Sequence, residues 1–322
     1  MIEYILFIIG FIFLLKGADD LVEGTASIAR KFRISKLVVG LTIVSFGTSL
    51  PELVVNITSS IKGDASIAIG TIIGSNLANI LLILGISAII NPIKVHYSTI
   101  RREIPYSLVA AIILLLLSNG FFNGTESALS RIDGIILLVF FITFIYYIYD
   151  MAKKTRVPIE IEKAVEKKTI EHSNAKNALK IFSGLALLYF GGEWVVNGAV
   201  AIAKLSNISE YVISATIIAF GTSLPEFMTS IVAIKKREDD IFVGNIVGSN
   251  IFNIFFVLAI SMIILPISIG KYAKIDMIIL IFATLLLFGF LYLDKKQTLA
   301  KREGIFLILT YVAYVAYLIL RQ

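Results

Sequence analysis

The chain has 322 residues, of which 57% are hydrophobic and 16% charged, with a formal net charge of +6. Soluble domains carry about 25% charged residues, so this balance and a mean hydropathy of +0.89 argue against a water-soluble core. The basic residues sit in short clusters between long apolar runs, a pattern of membrane orientation rather than nucleic-acid binding. The absence of cysteine removes disulfide frameworks and thiolate metal sites.

A helix needs about 20 apolar residues to cross a bilayer. The sequence offers ten such runs, near residues 2–24, 37–61, 66–92, 102–118, 132–150, 177–203, 210–234, 240–266, 275–293 and 304–320. Met1-Ile2-Glu3-Tyr4 lacks the basic region of a signal peptide, so the first run is expected to stay as a spanning helix. The second, third, seventh and eighth runs carry Gly, Ser, Asn or Pro where a plain membrane helix carries Leu. With an external N-terminus, 22 of the 29 Lys and Arg fall inside, including Lys94, Arg101, Arg102, Lys235 and Lys236. Short loops obey that rule. Both termini are therefore expected outside the cytoplasmic membrane, and the mixed-charge linker 151–176 in the cytoplasm.

The chain also repeats itself. Residues 42–92 align with 216–266 at a constant offset of 174, from Thr42-Ile43 and Thr216-Ile217 to Pro92 and Pro266, and nearly half the positions are identical. Phe46-Gly47-Thr48-Ser49-Leu50-Pro51-Glu52 recurs as Phe220-Gly221-Thr222-Ser223-Leu224-Pro225-Glu226. Gly74-Ser75-Asn76 and Asn79-Ile80 recur as Gly248-Ser249-Asn250 and Asn253-Ile254. Each half holds five spans, an odd number, so the second half must insert upside down relative to the first. The reading is an all-α membrane protein of ten transmembrane helices in two inverted five-helix repeats, residues 1–150 and 177–322, with broken helices at an ion site. Inverted repeats with matched broken helices are the architecture of secondary transporters.

The repeated motifs offer oxygen. Pro51 has no backbone N–H, so the Gly47 carbonyl four residues earlier loses its helical partner, and at membrane depth such a carbonyl must be buried in protein or line a cavity. A cation is an apt substitute. Glu52 follows Ser49 by three residues and Asn79 follows Ser75 by four, so each pair is expected on one helix face. The second half supplies Ser223, Glu226, Ser249 and Asn253. An ionisable group at bilayer depth costs about 2.5–3.5 kcal/mol and marks function by default. For the serines and asparagines, helix–helix hydrogen bonding is the competing role. Both histidines, His96 and His172, fall in loops. Oxygen-only sites suit Ca²⁺ and Na⁺ rather than Zn²⁺ or Cu²⁺, and calcium takes about 6–8 oxygens.

Other polar residues are less telling. Asp19 aligns with Glu193, and with Asp20 they follow Gly17 and Gly191 near span ends, where gating and simple solvation compete. Lys16 is expected to snorkel to an interface. Asn123-Gly124-Thr125 matches a glycosylation triplet that decides nothing, and Lys163 to Lys168 reads as a solvated amphipathic segment.

These motifs resemble the cation/Ca²⁺ antiporter superfamily, above all the prokaryotic sodium/calcium exchangers, whose two α-repeats carry G-T-S-[LV]-P-[ED] and G-N-x-x-G-[SA]-N. Gly47 to Glu52 and Gly221 to Glu226 match the first pattern; Gly70 to Asn76 and Gly244 to Asn250 match the second. The resemblance spans essentially the whole chain. It implies that Glu52, Glu226 and the backbone oxygens of Thr48 and Thr222 bind calcium. It further implies that Ser49, Ser223, Ser75, Ser249, Asn79 and Asn253, with carbonyls near Ser45 and Ala219, complete sodium sites. Thr71 departs from the usual Asn, whereas Asn245 keeps it. Asn253 stands where potassium-dependent members carry aspartate, which speaks against potassium co-transport.

The expected function is alternating-access exchange of Na⁺ for Ca²⁺, with both ions as substrates, no cofactor and no obligatory protein partner. Proton-coupled Ca²⁺ exchange on the same glutamates is the alternative within transport. A membrane hydrolase lacks a nucleophile–base dyad in its spans, and channel filters come from rings of symmetric subunits, whereas this repeat closes a site within one chain.

Overall fold

A computed structural model describes residues 2–63, 65–120, 128–154, 174–205 and 219–321. The start of the seventh span with Thr216-Ile217, the Asn123 triplet, His172 and most of the linker lie outside the described residues.

Each expected span, over its described residues, falls on helix. The first is α1 (Ile2–Phe32). The second runs through α2 (Lys36–Val39), a π-helical stretch (Gly40–Val44) and α3 (Ser45–Thr48), breaks at Ser49, and resumes as α4 (Leu50–Ile61). The third joins α5 (Ala65–Leu77), a π stretch (Ala78–Ile83) and α6 (Leu84–Ile90). After strand β1 (Ile93–Lys94) and the short α7 (Tyr97–Arg101) come α8 (Glu103–Ser118), β2 (Ala128–Leu129) and α9 (Arg131–Lys154). The second half gives α10 (Asn174–Leu205), α11 (Ala219–Thr222), α12 (Leu224–Lys235), α13 (Asp239–Phe252), a π stretch (Asn253–Leu258) and α14 (Ala259–Ile264). It ends with β3 (Ile267–Ser268), α15 (Lys271–Leu293), β4 (Thr298–Leu299) and α16 (Lys301–Leu320). Six of the described helical segments are long and apolar enough alone to cross a membrane, and the bent second span makes a seventh. The others depart for visible reasons: α1 carries Lys16, Asp19, Asp20 and Glu23, α8 has 16 residues, and the seventh span is described only in part.

The inverted symmetry shows in crossed contacts. β1, after the third span, pairs antiparallel with β4 of the other half, while β3, after the eighth, pairs with β2 of the first. These two-stranded ribbons lie on opposite faces of the bundle, β1–β4 on the face of the linker and β2–β3 on the face of the termini. Gly85 of α6 meets Gly304 of α16, where a Cβ would lie 3.0 Å from the Gly304 carbonyl oxygen. Its repeat mate Ala259 presents its carbonyl oxygen 2.8 Å from a Cβ built on Gly134 of α9. The last spans are tied to their neighbours as well. The Tyr147 hydroxyl donates to Glu103, and Arg321, its mate by the offset, grips Asp276 with two bonds of 2.7 Å.

Antiparallel α1 and α10 form a pair seamed by glycine. A Cβ on Gly17 would stand 2.8 Å from the Gly184 carbonyl oxygen, and one on Gly184 equally close to that of Gly17; Gly10 and Gly191 repeat the relation. With no side chains between them the backbones touch, as small residues allow in membrane helix pairs. Lys16 does not simply snorkel: it pairs with Asp20 at 2.8 Å.

The core sits between these layers. The helical segments flanking the π stretches, α5–α6 and α13–α14, are the most enclosed, with Ile72, Leu77, Ile80, Ile251 and Phe255 fully buried.

Candidate ion-binding site

The site forms where the two broken spans meet the two π-bearing spans. Pro51 and Pro225 sit in the first turns of α4 and α12, where a proline is compatible with a helix start. The turn before each is forced out of helical register. Ser49 (φ −83°, ψ 8°) and Ser223 (φ −87°, ψ 5°) take matching non-helical conformations, and the second span bends there by 44°. Each break leads into a helix whose first turn carries the glutamate.

Glu52 and Glu226 are both buried, at 0% and 1% exposure. Glu52 Oε1 accepts from Ser75 Oγ of its own half (3.2 Å) and from Ser223 Oγ of the other (3.3 Å). Glu226 Oε1 accepts from Ser249 Oγ of its own half (3.4 Å) and from Ser49 Oγ of the other (3.0 Å). Ser49 therefore does not serve Glu52 across one helix face, as the spacing predicts. The break at Ser49 takes it out of register with α4 and aims its hydroxyl across the two-fold axis.

The asparagines are crossed too. Asn79 Nδ2 donates to Asn250 Oδ1 (2.9 Å), and Asn253 Nδ2 donates to Asn76 Oδ1 (3.0 Å). Asn76 Nδ2 donates to the carbonyl of Asn250, its own repeat mate, at 3.1 Å, which puts this pair on the axis. Ser75 and Asn79 do not meet one partner, because the π stretch opening at Ala78 widens the turn between them. π turns of this kind are rare and cluster at functional sites. Asn253 opens the corresponding π stretch of the second half.

With the amide nitrogens and one carboxylate oxygen of each glutamate engaged, a matched set of acceptors is left over. Glu52 Oε2, Glu226 Oε2, Asn79 Oδ1 and Asn253 Oδ1 are buried and accept no hydrogen bond among the described residues. Leaving a buried polar atom unmet costs about 1–3 kcal/mol, more when it is charged. Hard oxygens of this type are the ligands that suit Ca²⁺ and Na⁺.

The remaining expected ligands lie around this set. Thr48 Oγ1 donates to Asn245 Oδ1 at 3.0 Å. The Ser45 carbonyl accepts from Ser49 N (3.1 Å) and from the hydroxyls of Thr48 (3.4 Å) and Ser249 (3.5 Å), so it lies inside the protein's own network. Thr222 is buried beside Gly221, and Ala219 opens α11. Four further residues belong to the neighbourhood. Asn76 and Asn250 were visible in the repeated Gly-Ser-Asn triplets, and Asn245 in the second G-N-x-x-G. Asn56, which donates to the Glu52 carbonyl at 2.7 Å, had only its position one turn after the glutamate to betray it.

A cavity of about 190 Å³ adjoins the site on the face of the termini, between Pro51, Pro225, Thr222 and the α10 residues Glu193 and Asn197. His96 stands apart on the linker face, 3.2 Å from Asp240.

The sodium/calcium exchanger protein family matches residues 2–149 and 176–320, nearly the whole chain. The chain belongs to the sodium/calcium exchanger family. It is 36% identical to the putative antiporter CaxA of Alkalimonas amylolytica, with 98% of each chain covered. It is also 36% identical to the inner membrane protein YrbG of Escherichia coli, covering 81% of this chain and 79% of that one. The sodium/calcium exchanger MaX1 of Methanosarcina acetivorans is 27% identical over 98% of both. A solved structure of the sodium–calcium exchanger NCX_Mj superposes with a TM-score of 0.82 at 32% identity, covering 98% of each chain. The fold is that of a multi-pass membrane exchanger, and membership of this family carries cation/Ca²⁺ exchange with it.

Proposed function

We propose that the chain exchanges Na⁺ for Ca²⁺ by alternating access and extrudes Ca²⁺ from the cytoplasm electrogenically. The observation that carries this reading is the two-fold set of four unmet buried oxygens, two carboxylate and two amide, at the crossing of the repeats. Glu52 and Glu226 cancel the charge of calcium. Carbonyl oxygens of Thr48 and Thr222 complete its shell, and the hydroxyls of Ser49, Ser223, Ser75 and Ser249 orient the carboxylates. Asn79 and Asn253, with carbonyls near Ser45 and Ala219, extend the set to sodium ions that share the glutamates. The names of MaX1 and NCX_Mj, both sodium/calcium exchangers, support the sodium coupling.

A site with two bare carboxylates facing each other repels itself, so an unfilled site resists being enclosed in hydrocarbon. Ca²⁺ or several Na⁺ remove that charge. The glycine-seamed pair α1–α10 then slides past the filled site with little steric resistance, moving access from one face to the other.

The charge pattern supports an orientation with the termini outside and the linker 151–176 inside the cytoplasmic membrane. Single cysteines at the exposed positions Ser268 and Lys295, in a chain without native cysteine, test this. An impermeant thiol reagent applied to intact cells is expected to label the first alone.

The experiment for the function is ⁴⁵Ca uptake into proteoliposomes under an imposed sodium gradient and, separately, a proton gradient. Uptake driven by sodium alone is the expected result. Uptake that needs the proton gradient and ignores sodium would assign the glutamates to proton-coupled exchange.

A further inference from the structure

Two acids matched by the repeat, Asp19 and Glu193, are not used by the ion site, and the structure treats them differently. On the linker face Lys236, the residue that caps the C-terminus of α12, lies 2.7 Å from Asp19 Oδ1 and 3.8 Å from Glu23 Oε2. It also donates to the Asp19 carbonyl at 3.4 Å, and Lys180 of α10 holds the other oxygen of Glu23 at 2.5 Å. Because α12 carries Glu226 in its first turn and α1 belongs to the sliding pair, these contacts fasten a site helix to the moving element.

On the face of the termini the offset of 174 puts Lys62 in the place of Lys236, Glu193 in that of Asp19 and Asn197 in that of Glu23. Lys62 likewise caps the C-terminus of its site helix, α4. Here, however, nothing is fastened. Among the described residues neither Lys62 nor Glu193 has an ion-pair partner, and both are exposed. Glu193 instead lines the cavity beside the two break prolines, the one charged residue to do so among the described residues.

We propose that Asp19 and Glu193 are the mouth acids of the two ion routes, each alternately free to collect cations and covered by the lysine that ends the facing site helix. The structure holds one of each state: Glu193 open in its cavity, Asp19 under Lys236. A lone carboxylate at the neck of an apolar-walled cleft focuses its field and raises the local cation concentration. An ammonium within 3 Å cancels that field and ties the helices together. When α1 and α10 slide, Lys236 releases Asp19 on one face as Lys62 reaches Glu193 on the other, so opening and capture are the same event. Pairs as exposed as these bias the equilibrium by about two- to fivefold, enough to tune the exchange cycle without locking it.

This inference rests on the alternating-access reading, and the test separates the two. Val54→Cys lines the cavity and is the sole thiol of the chain. Its labelling by an impermeant thiol reagent, applied to proteoliposomes from the side of the termini, is expected to change between Na⁺ and Ca²⁺. Adding Lys236→Gln should slow that labelling about two- to fivefold, and adding Lys62→Gln should speed it. Glu193→Gln should raise the half-saturating concentrations of both ions by a similar factor when they are applied from that side and leave the linker side unchanged, with Glu193→Asp close to the native values. Two lysine variants that shift labelling in the same direction, or not at all, overturn the proposal, as does a Glu193→Gln variant with unaltered saturation. Labelling of Val54→Cys indifferent to both ions overturns alternating access itself.

Discussion

Glu52 and Glu226 each give one oxygen to two serine hydroxyls and present the other, unmet, to the site. Replacing either by Gln removes one of the two charges that balance calcium in the proposed mechanism. Taking one partner from a buried ionic pair costs about 3–5 kcal/mol, more than a hundredfold in affinity. Glu52→Gln and Glu226→Gln are each expected to bring ⁴⁵Ca flux to background while expression and thermal unfolding stay near native. Near-normal flux in either variant would remove the central claim. The crossed hydrogen bonds give a sharper expectation. Ser49→Ala should weaken Ca²⁺ binding about tenfold, the value of a hydrogen bond to a charged group. In a double-mutant cycle read by calorimetry, that loss should couple to Glu226→Gln and not to Glu52→Gln. Independent effects of Ser49 and Glu226 would contradict the geometry. The residue types of the site were legible in the sequence, because the Gly-Thr-Ser-Leu-Pro-Glu repeats announce themselves. The pairing was not. Which glutamate Ser49 meets depends on how two broken helices dock, and no spacing within one helix contains that information.

At the level of elements, the prolines told where the second and seventh spans break, since a missing N–H has a fixed consequence four residues earlier. The π stretches at Gly40–Val44, Ala78–Ile83 and Asn253–Leu258 were invisible. A π turn adds one residue to a helical turn and leaves the apolar composition around it unchanged, so hydropathy reads the span as one plain helix. The seam between α1 and α10 was half visible: the glycines could be seen, their face-to-face contact could not. It makes a testable demand. Gly17→Ala drives a methyl to 2.8 Å from the Gly184 carbonyl, an overpacking that costs about 1–3 kcal/mol. The variant should unfold at lower temperature and exchange at least about tenfold more slowly, as measured by thermal melting and ⁴⁵Ca flux. Gly289→Ala is the control, since a Cβ there meets nothing within 4 Å; it should leave flux unchanged and stabilise α15 by about 0.5–1 kcal/mol. Equal flux in the two variants would separate the seam from transport.

For the whole molecule, the balance of charge decides whether transport feels the membrane potential. The site carries two acids, and Asn79 and Asn253 remain neutral as amides. Calcium cancels both charges, and so do two sodium ions. In the proposed electrogenic exchange a third sodium, held with the help of the serine and asparagine oxygens, leaves one positive charge moving with the sodium-loaded state. Carrying one charge through the membrane is worth about 2.3 kcal/mol per 100 mV. With the interior clamped negative by valinomycin and potassium, sodium-driven calcium extrusion should quicken several-fold, and indifference to voltage would limit the coupling to two sodium ions. The crossed architecture has one more consequence. Asn76 bonds its own counterpart, Ser49 and Ser223 each serve the opposite glutamate, and each ribbon is woven from both halves. Neither repeat alone makes these crossed bonds. A half-length ancestor would have had to associate with a twin inserted in the opposite sense, and the fusion of two such genes would have needed only a linker to make that antiparallel marriage permanent.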